Sequence, residues 1–263
     1  MKSLIINVAS AYDRMEFMKD QMNELNIGFE RLNAVAIKDL IYNNNEAYWK
    51  TWERPIKPSE QACFLSHIKA WEAVINENIP ILILEDDAIL VKDLNEVLNL
   101  VSNLKDIDYI SLEIRNRKKL LSTVQNKLNS KYKISRLYQD RSGAAAYVLW
   151  PSGAKKLIKR TKKHAALTDA MICMSYELLG YQIEPACAVQ LDSAENYGLS
   201  IPISSNSTIH TGSNEGRVDL LQFNGIKYKI RRILSQLKMG IRFLSKLFSA
   251  KKRFVEFNIN NFL

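Results

Sequence analysis

Four aliphatic residues in succession, Ile81-Leu82-Ile83-Leu84, run directly into three carboxylates, Glu85-Asp86-Asp87. A stretch apolar on both faces suits a strand covered on both sides, the position of a central strand in a parallel sheet packed between helices. Ligands of such sheets bind beyond the carboxyl ends of the strands, which is where the three acids emerge. Alternation along the chain sends Glu85 and Asp87 to one side and Asp86 to the other. Three adjacent anions beside an apolar core repel one another, so a divalent cation or strong donors must hold them ionised. The plainer alternative is that Asp86 and Asp87 open a solvated loop. Oxygen ligands favour Mg2+ or Mn2+ over zinc, and such ions keep open positions for phosphate oxygens. The chain has neither a Gly-x-x-x-x-Gly-Lys nor a Gly-x-Gly-x-x-Gly run, so P-loop phosphoryl transfer and dinucleotide oxidoreduction lack their usual support. What remains is chemistry in which a metal stabilises a departing diphosphate.

The elements around this strand alternate. Leu4–Val8 is a short apolar run, Met15, Met18, Met22 and Leu25 recur at helical spacing, and Phe29–Val35 reads as a second strand, giving a β-α-β opening. Residues 37–58 have no period and read as a long loop. Ser59 is a plausible N-cap for a helix with Phe64, Ile68, Trp71 and Ile75 on one face, and Asp93 with Glu96 has capping-box spacing for the next. Tyr109–Leu112, Tyr132–Leu137, Ala144–Trp150 and Tyr181–Val189 are further strands, the segment 115–131 reads as a loop, and Thr168 can cap a helix running to Gly180. The expected class is α/β, a mostly parallel sheet flanked by helices, followed by a basic amphipathic helical tail. The expected divisions are 1–195 for the main domain, 196–225 for a Ser/Asn-rich linker or loop, and 226–263 for the tail.

At 263 residues, 47% apolar and 25% charged, the chain has the make-up of an ordinary globular protein. Its three cysteines form no CxxC pair, which argues against a disulfide framework or a zinc knuckle and fits a reducing cytoplasm. The net charge of +9 is localised: ten cations and no acid lie between Ile226 and Phe254, leaving the rest close to neutral. No apolar run reaches the roughly 18–20 residues that span a bilayer, and the five-residue run after Met1-Lys2 is shorter than the core of a signal peptide.

The run Ser59-Glu60-Gln61-Ala62-Cys63-Phe64-Leu65-Ser66-His67, then Trp71, then Ile83-Leu84-Glu85-Asp86-Asp87, resembles glycosyltransferase family 25, which includes bacterial lipooligosaccharide galactosyltransferases and collagen galactosyltransferases. Asn7-Val8-Ala9-Ser10-Ala11-Tyr12-Asp13-Arg14 is similar to that family's first loop, Gly143-Ala144-Ala145-Ala146-Tyr147 to a later segment, and Leu167-Thr168-Asp169 to a Pro-hydrophobic-Asp element without its proline. The likeness spans roughly residues 3–195. It implies a GT-A-like fold, a UDP-sugar donor, Mn2+ or Mg2+ as cofactor, and an inverting transfer of a hexose, galactose foremost, to a saccharide hydroxyl of lipooligosaccharide or lipopolysaccharide core. It further implies Asp87 as a metal ligand and Glu85 and Asp86 near the metal's waters, the ribose or the sugar. Asn7, Ala9 and Arg14 would contact the nucleotide, and His67 the donor. Asp169 is the first choice for the catalytic base and Glu113 its rival. His210 is a candidate late metal ligand. Each has a plainer reading: Asp169 as a helix-start acid, Glu113 as a solvated strand-end acid, Arg14 as a surface charge, His67 as a structural histidine. A protein that keeps the sugar-nucleotide cleft at a membrane but transfers nothing is the competing function.

In the tail, Ile230, Leu234, Leu237, Ile241, Leu244 and Phe248 step by three and four while cations occupy mostly the other faces. Such a helix suits an anionic membrane surface; the same spacing also permits a homodimeric coiled coil, which ten like charges oppose. No nucleic-acid-binding signature accompanies the cations. The expected place is the cytoplasmic side of the inner membrane of a Gram-negative bacterium, held peripherally, with removal of 226–263 releasing a folded, soluble body.

Overall fold

The computed structural model describes residues 1–42, 46–141, 143–200 and 225–262. In chain order the elements are β1 (Lys2–Asn7), α1 (Tyr12–Glu24), β2 (Glu30–Asn33), a 3-10 turn (Ile37–Tyr42), α2 (Glu46–Trp49), α3 (Pro58–Glu77), β3 (Ile81–Glu85), β4 (Ala88–Leu90), α4 (Leu94–Ser102), β5 (Tyr109–Ser111) and β6 (Glu113–Ile114). They continue as β7 (Lys119–Lys127), β8 (Lys133–Gln139), β9 (Ala146–Leu149), α5 (Pro151–Thr161), α6 (Thr168–Cys173), β10 (Gly180–Glu184), β11 (Ala188–Gln190), a 3-10 turn (Leu191–Tyr197), α7 (Gly225–Ser245), β12 (Ala250–Arg253) and a final 3-10 turn (Ile259–Asn261).

Alternation along β3 sets the layering. Ile81 and Ile83 face a core shared with Phe64, Ala70, Trp71 and Val74 of α3 and with Ala154 and Leu157 of α5. Leu82 and Leu84 face the opposite core, with Met18 and Met22 of α1, Leu94, Val97 and Leu98 of α4, and the small sheet. All four β3 aliphatics are fully buried, each worth roughly 1.5–3 kcal/mol over an exposed position. The expected α/β class, a central sheet between helical layers, is present.

The sheet itself departs from the expectation of a mostly parallel one. Its nine strands run in the order β12-β7-β8-β10-β5-β9-β3-β1-β2, and only the β1–β2, β1–β3 and β10–β5 pairs are parallel. β9 inserts between β3 and β5 antiparallel to both, and β7 and β8 pair as an antiparallel ribbon. A smaller sheet, β4-β11-β6, lies apart from it. Apolar runs reveal that a strand is buried but not its direction, so the parallel reading over-extended the β-α-β opening.

Local corrections have local causes. Lys57, not Ser59, precedes the first turn of α3, Pro58 occupies that turn, and the Glu60 carboxylate accepts from the Lys57 N–H at 2.9 Å. The Asp93 side chain makes no cap bond; it accepts instead from Lys131 Nζ and the Tyr132 hydroxyl. The helix starting at Thr168 ends at Cys173 rather than near Gly180. The expected strand 181–189 is two strands separated at Pro185, which has no N–H to give a ladder. Residues 115–131 contain all of β7 rather than a loop, and the 3-10 turn after β11 buries Leu191 and Ala194.

The tail divides in two. Helix α7 lies against the body, but β12 joins the main sheet by pairing with β7, Ala250 opposite Ser122 and Arg253 opposite Lys119. Val255 and Phe262 are buried beyond it. The fully buried Glu184 carboxylate takes both arms of the Arg253 guanidinium, at 2.5 and 2.6 Å. Residues 226–263 are thus not a separable appendage, and deleting all of them strips an edge strand and orphans a buried acid. No helix among the described residues is long and apolar enough to cross a membrane. Removing one partner of a buried pair leaves an uncompensated charge, so Arg253→Ala should lower unfolding stability by about 3 kcal/mol, read as a lower midpoint in urea; an unchanged midpoint would show that β12 does not brace the sheet.

Candidate active site

The acid triplet sits where β3 leaves the sheet, beside a cavity of about 370 Å³ that the exits of β1 and β2, helix α3 and the acids enclose. Asp86 turns away from its neighbours. It accepts from Asn7 Nδ2 at 2.7 Å and from Arg14 Nη1 at 2.8 Å, so the β1 exit and α1 are tied to β3 through one carboxylate. Asn7 and Arg14 therefore hold Asp86, and Arg14 also reaches the cavity wall. Ala9 is at the exposed tip of the turn, whereas Val8 and Ser10 line the cavity. On the other side, Gln190 at the end of β11 donates to Glu85 Oε2 at 2.9 Å and lies 3.4 Å from Asp87 Oδ1. The expected division of the triplet, Glu85 with Asp87 and Asp86 apart, is what these partners show.

Glu85 is oriented from behind. The Trp71 indole N–H donates to the Tyr147 oxygen at 2.8 Å, Tyr147 lies 2.8 Å from His67 Nδ1, and His67 Nε2 lies 3.0 Å from Glu85 Oε1. Burial pushes the His67 pKa down to about 3, so the ring is neutral and carries one N–H. With Glu85 ionised, the consistent assignment has Tyr147 donating to Nδ1 and Nε2–H donating to the carboxylate. His67 is completely buried, and it positions Glu85.

Burial, and secondly the Asp86 charge, pushes Glu85 up to about 7; burial, and secondly Glu85, does the same to Asp87. These two half-buried carboxylates have the Gln190 amide between them and His67 behind Glu85, neutral donors that leave their negative charge uncompensated. A hard divalent cation fits this oxygen set, with Asp87 and Glu85 as the residues that would hold it. A different group of three potential ligand atoms, on Cys63, His67 and Glu85, also converges within 4.8 Å. There both imidazole nitrogens are already engaged, and burial raises the Cys63 thiol so that it stays protonated, which makes the trio a hydrogen-bonded cluster. His210 lies outside the described residues.

The Cys63 sulfur, 3.6 Å from Thr168 Oγ1, links this cavity to a second one. Asp169, the next residue, lines that second cavity, of about 440 Å³. Asp169 is mostly buried, its pKa is raised chiefly by that burial, and its charge is felt by Glu85, His67 and Cys63. A carboxylate on the wall of the second cavity, close enough to the first to act on its charges, can take a proton from a group bound beside it.

Glu113 sits differently. It is 1% exposed, borders neither cavity, accepts from the Ala145 N–H at 2.6 Å, and its other oxygen is without a hydrogen-bond partner. Gly143 lies over it: φ is +117°, and a Cβ there would be 2.5 Å from Glu113 Oε1. Burial pushes Glu113 up to about 8, so at neutral pH it holds a proton. Two residues of the site, Gln190 and Arg115, were not anticipated. Arg115 pairs with Asp192 at 2.6 Å and acts electrostatically on Glu85, Glu113 and Asp169.

Paired acids at a strand exit, beside one cavity and a short step from a second, belong here to a glycosyltransferase. The family model of glycosyltransferase family 25, described as LPS biosynthesis protein, matches residues 1–172, and the chain belongs to that family. It is 27% identical over 198 residues to the lipooligosaccharide biosynthesis protein lic2B of Haemophilus influenzae, covering 71% of this chain and 74% of that one. It is 33% identical over 93 residues to procollagen galactosyltransferase 1-B of Xenopus laevis, a match to 32% of this chain and 15% of the longer protein. Among solved structures, a Drosophila galactosyltransferase 7 mutant in complex with manganese, UDP-Gal and xylobiose aligns over 83% of this chain and 82% of that one, at 8% identity and a TM-score of 0.38.

The Glu113 proton gives a stability signature. Its folded pKa of about 8 lies above the ordinary glutamate value of 4.5, so the folded state binds a proton that the unfolded chain releases. Stability therefore falls as pH rises between those values, by up to about 1.4 kcal/mol per unit. Glu113→Gln should flatten that fall in urea unfolding measured from pH 5 to 8; an unaltered slope would place the titration elsewhere.

Proposed function

We propose that the chain transfers a hexose, with inversion, from a UDP-sugar to a saccharide hydroxyl of lipooligosaccharide or lipopolysaccharide core. The observation that carries this reading is the charge-rich Glu85–Asp87 pair facing one cavity with Asp169 at the wall of the next. The first cavity takes the nucleotide sugar, with Val8 and Ser10 at its β1 end and Arg14 near the diphosphate. Bound Mn2+ or Mg2+ supplies Lewis-acid stabilisation of the negative charge that develops on the diphosphate. Asp169 accepts the acceptor hydroxyl proton as that oxygen bonds to C1 of the sugar, and the C1–O bond breaks with its electron pair leaving on UDP. His67 and Gln190 keep Glu85 turned toward the cavity. Galactose as the sugar, and lipooligosaccharide as the acceptor, draw support from what the two relatives are named for.

Helix α7 supports placement at a membrane. Its half-buried positions are Tyr228, Arg231, Ser235, Met239 and Arg242, so it docks on the body by its polar side. Arg231 donates to the Lys50 and Trp52 carbonyls, and Arg242 donates to that of Tyr138 and stacks on Tyr176 with its guanidinium 4.4 Å from the ring centre. Ile230, Leu234, Leu237, Ile241 and Leu244 are each more than half exposed. A surface helix of a globular protein turns its apolar stripe inward; this one presents it outward among lysines and arginines, as an interfacial helix does. The reading puts the protein peripherally on the cytoplasmic face of a Gram-negative inner membrane, in preference to a homodimer in which the cations would repel.

Two measurements test these statements. Donor hydrolysis and transfer from UDP-galactose, UDP-glucose and UDP-N-acetyl sugars to truncated glycolipid acceptors should require added Mn2+ or Mg2+. Asp169→Asn should cost transfer on the order of 10²–10⁴-fold with UDP still bound. UDP binding with no product from any donor would leave a sugar-nucleotide-binding protein that transfers nothing. Separately, Leu237→Glu with Ile241→Glu should reduce co-sedimentation with phosphatidylglycerol vesicles at least tenfold without loss of fold; equal sedimentation of the variant would refute the membrane role of α7.

A further inference from the structure

The second cavity, beside Asp169, is roofed by α7 and is rich in guanidinium groups: Arg54, Arg117, Arg141 and Arg232 all line it. Their charges are not equally available. Arg54 is held in a two-armed pair with Glu60 at 2.7 and 2.8 Å. Among the acids of the lining, Asp140 is buried against Lys119 at 2.6 Å. Arg117, Arg141 and Arg232 are exposed and have no carboxylate within 4.0 Å among the described residues. They come from three distant stretches, the chain before β7, the chain after β8 and α7, so the fold rather than local sequence collects them. Glu53 and Asp169 are the acids that face them. Trp52 adds a half-buried indole at the same wall, an apolar face with a polar edge of the kind that packs against a sugar ring.

Guanidinium groups bind phosphate and carboxylate through paired, charge-assisted hydrogen bonds. We propose that this cavity is an acceptor subsite for an acidic saccharide, one carrying a phosphate or carboxylate group, with Arg117, Arg141 and Arg232 reading the anion and Asp169 reading the hydroxyl. The inference rests on the transferase reading for the role of Asp169, and it adds the chemical class of the acceptor. It also gives α7 a second role, since Arg232 enters the subsite only when the helix is seated on the body.

The test is direct binding to the full chain in the presence of UDP and Mn2+, by calorimetry. The probes are a lipid-free core oligosaccharide bearing phosphate, the same oligosaccharide after phosphatase treatment, and a uronate-bearing oligosaccharide of similar size. Lipid-free probes keep headgroup phosphate out of the measurement. At least one acidic probe should bind about tenfold more tightly than the neutral one, the ratio expected for one or two charge-assisted hydrogen bonds. The phosphate and uronate arms separate the two sources of charge. Arg141→Gln and Arg232→Gln should each reduce that preference about fivefold or more, while Lys155→Gln on the exposed side of α5 should preserve it. Equal binding of acidic and neutral probes by the natural chain, or an acid preference that survives both arginine substitutions, would overturn the subsite. Because binding is read without turnover, loss of transferase activity alone leaves this result legible, and the two readings can fail separately.

Discussion

Burial of β3 on both faces is the constraint from which the site follows. Ile81 and Ile83 are locked under α3 and α5, Leu82 and Leu84 under α1 and α4, so the strand has no freedom of register or rotation. The three acids that follow must therefore emerge at a fixed place with fixed directions. Asp86 is consumed in bracing Asn7 and Arg14. Glu85 and Asp87 are left facing the cavity with one amide between them. Burial and the charge of the neighbouring acids raise both above the usual carboxylate range, and two adjacent oxygen ligands with only neutral donors around them are the chemical argument for a bound cation.

The surroundings of the pair are organised by groups from far along the chain. Trp71, Tyr147 and His67 form a buried relay of hydrogen bonds that ends on Glu85. Its members sit on α3 and β9, two elements that contact β3 from different sides. The Cys63–Thr168 contact joins α3 to α6 next to Asp169, which lines the second cavity. A small displacement of α3 would disturb both the orientation of Glu85 and the partition between the two spaces. Helix α7 closes the second space, and β12 anchors the chain beyond it to the main sheet.

Much of the centre was legible in the sequence because its signals are local. The aliphatic run of β3, the methionines of α1 and the apolar face of α3 each report burial by spacing alone. The acid triplet could be placed at the exit of that strand for the same reason, and its alternation is realised. What was not legible depends on contacts distant in sequence. The direction of β9 between β3 and β5, the return of β12 to pair with β7, and the approach of Gln190 to Glu85 span tens of residues or more and leave no periodic trace. Asp93 with Glu96 shows a related limit: the spacing was right for a cap, but Lys131 and Tyr132 offered Asp93 stronger partners. Glu113 read as a strand-end acid and is one, though it is buried and protonated rather than solvated.

The most direct test of the central claim is a crystal structure of the protein with UDP and Mn2+. The metal-site reading requires manganese density within coordination distance of an Asp87 carboxylate oxygen, with the diphosphate bridging it into the cavity lined by Val8, Ser10 and Arg14. Nucleotide bound elsewhere, or manganese held by other residues while Glu85 and Asp87 keep only their His67 and Gln190 partners, would contradict it.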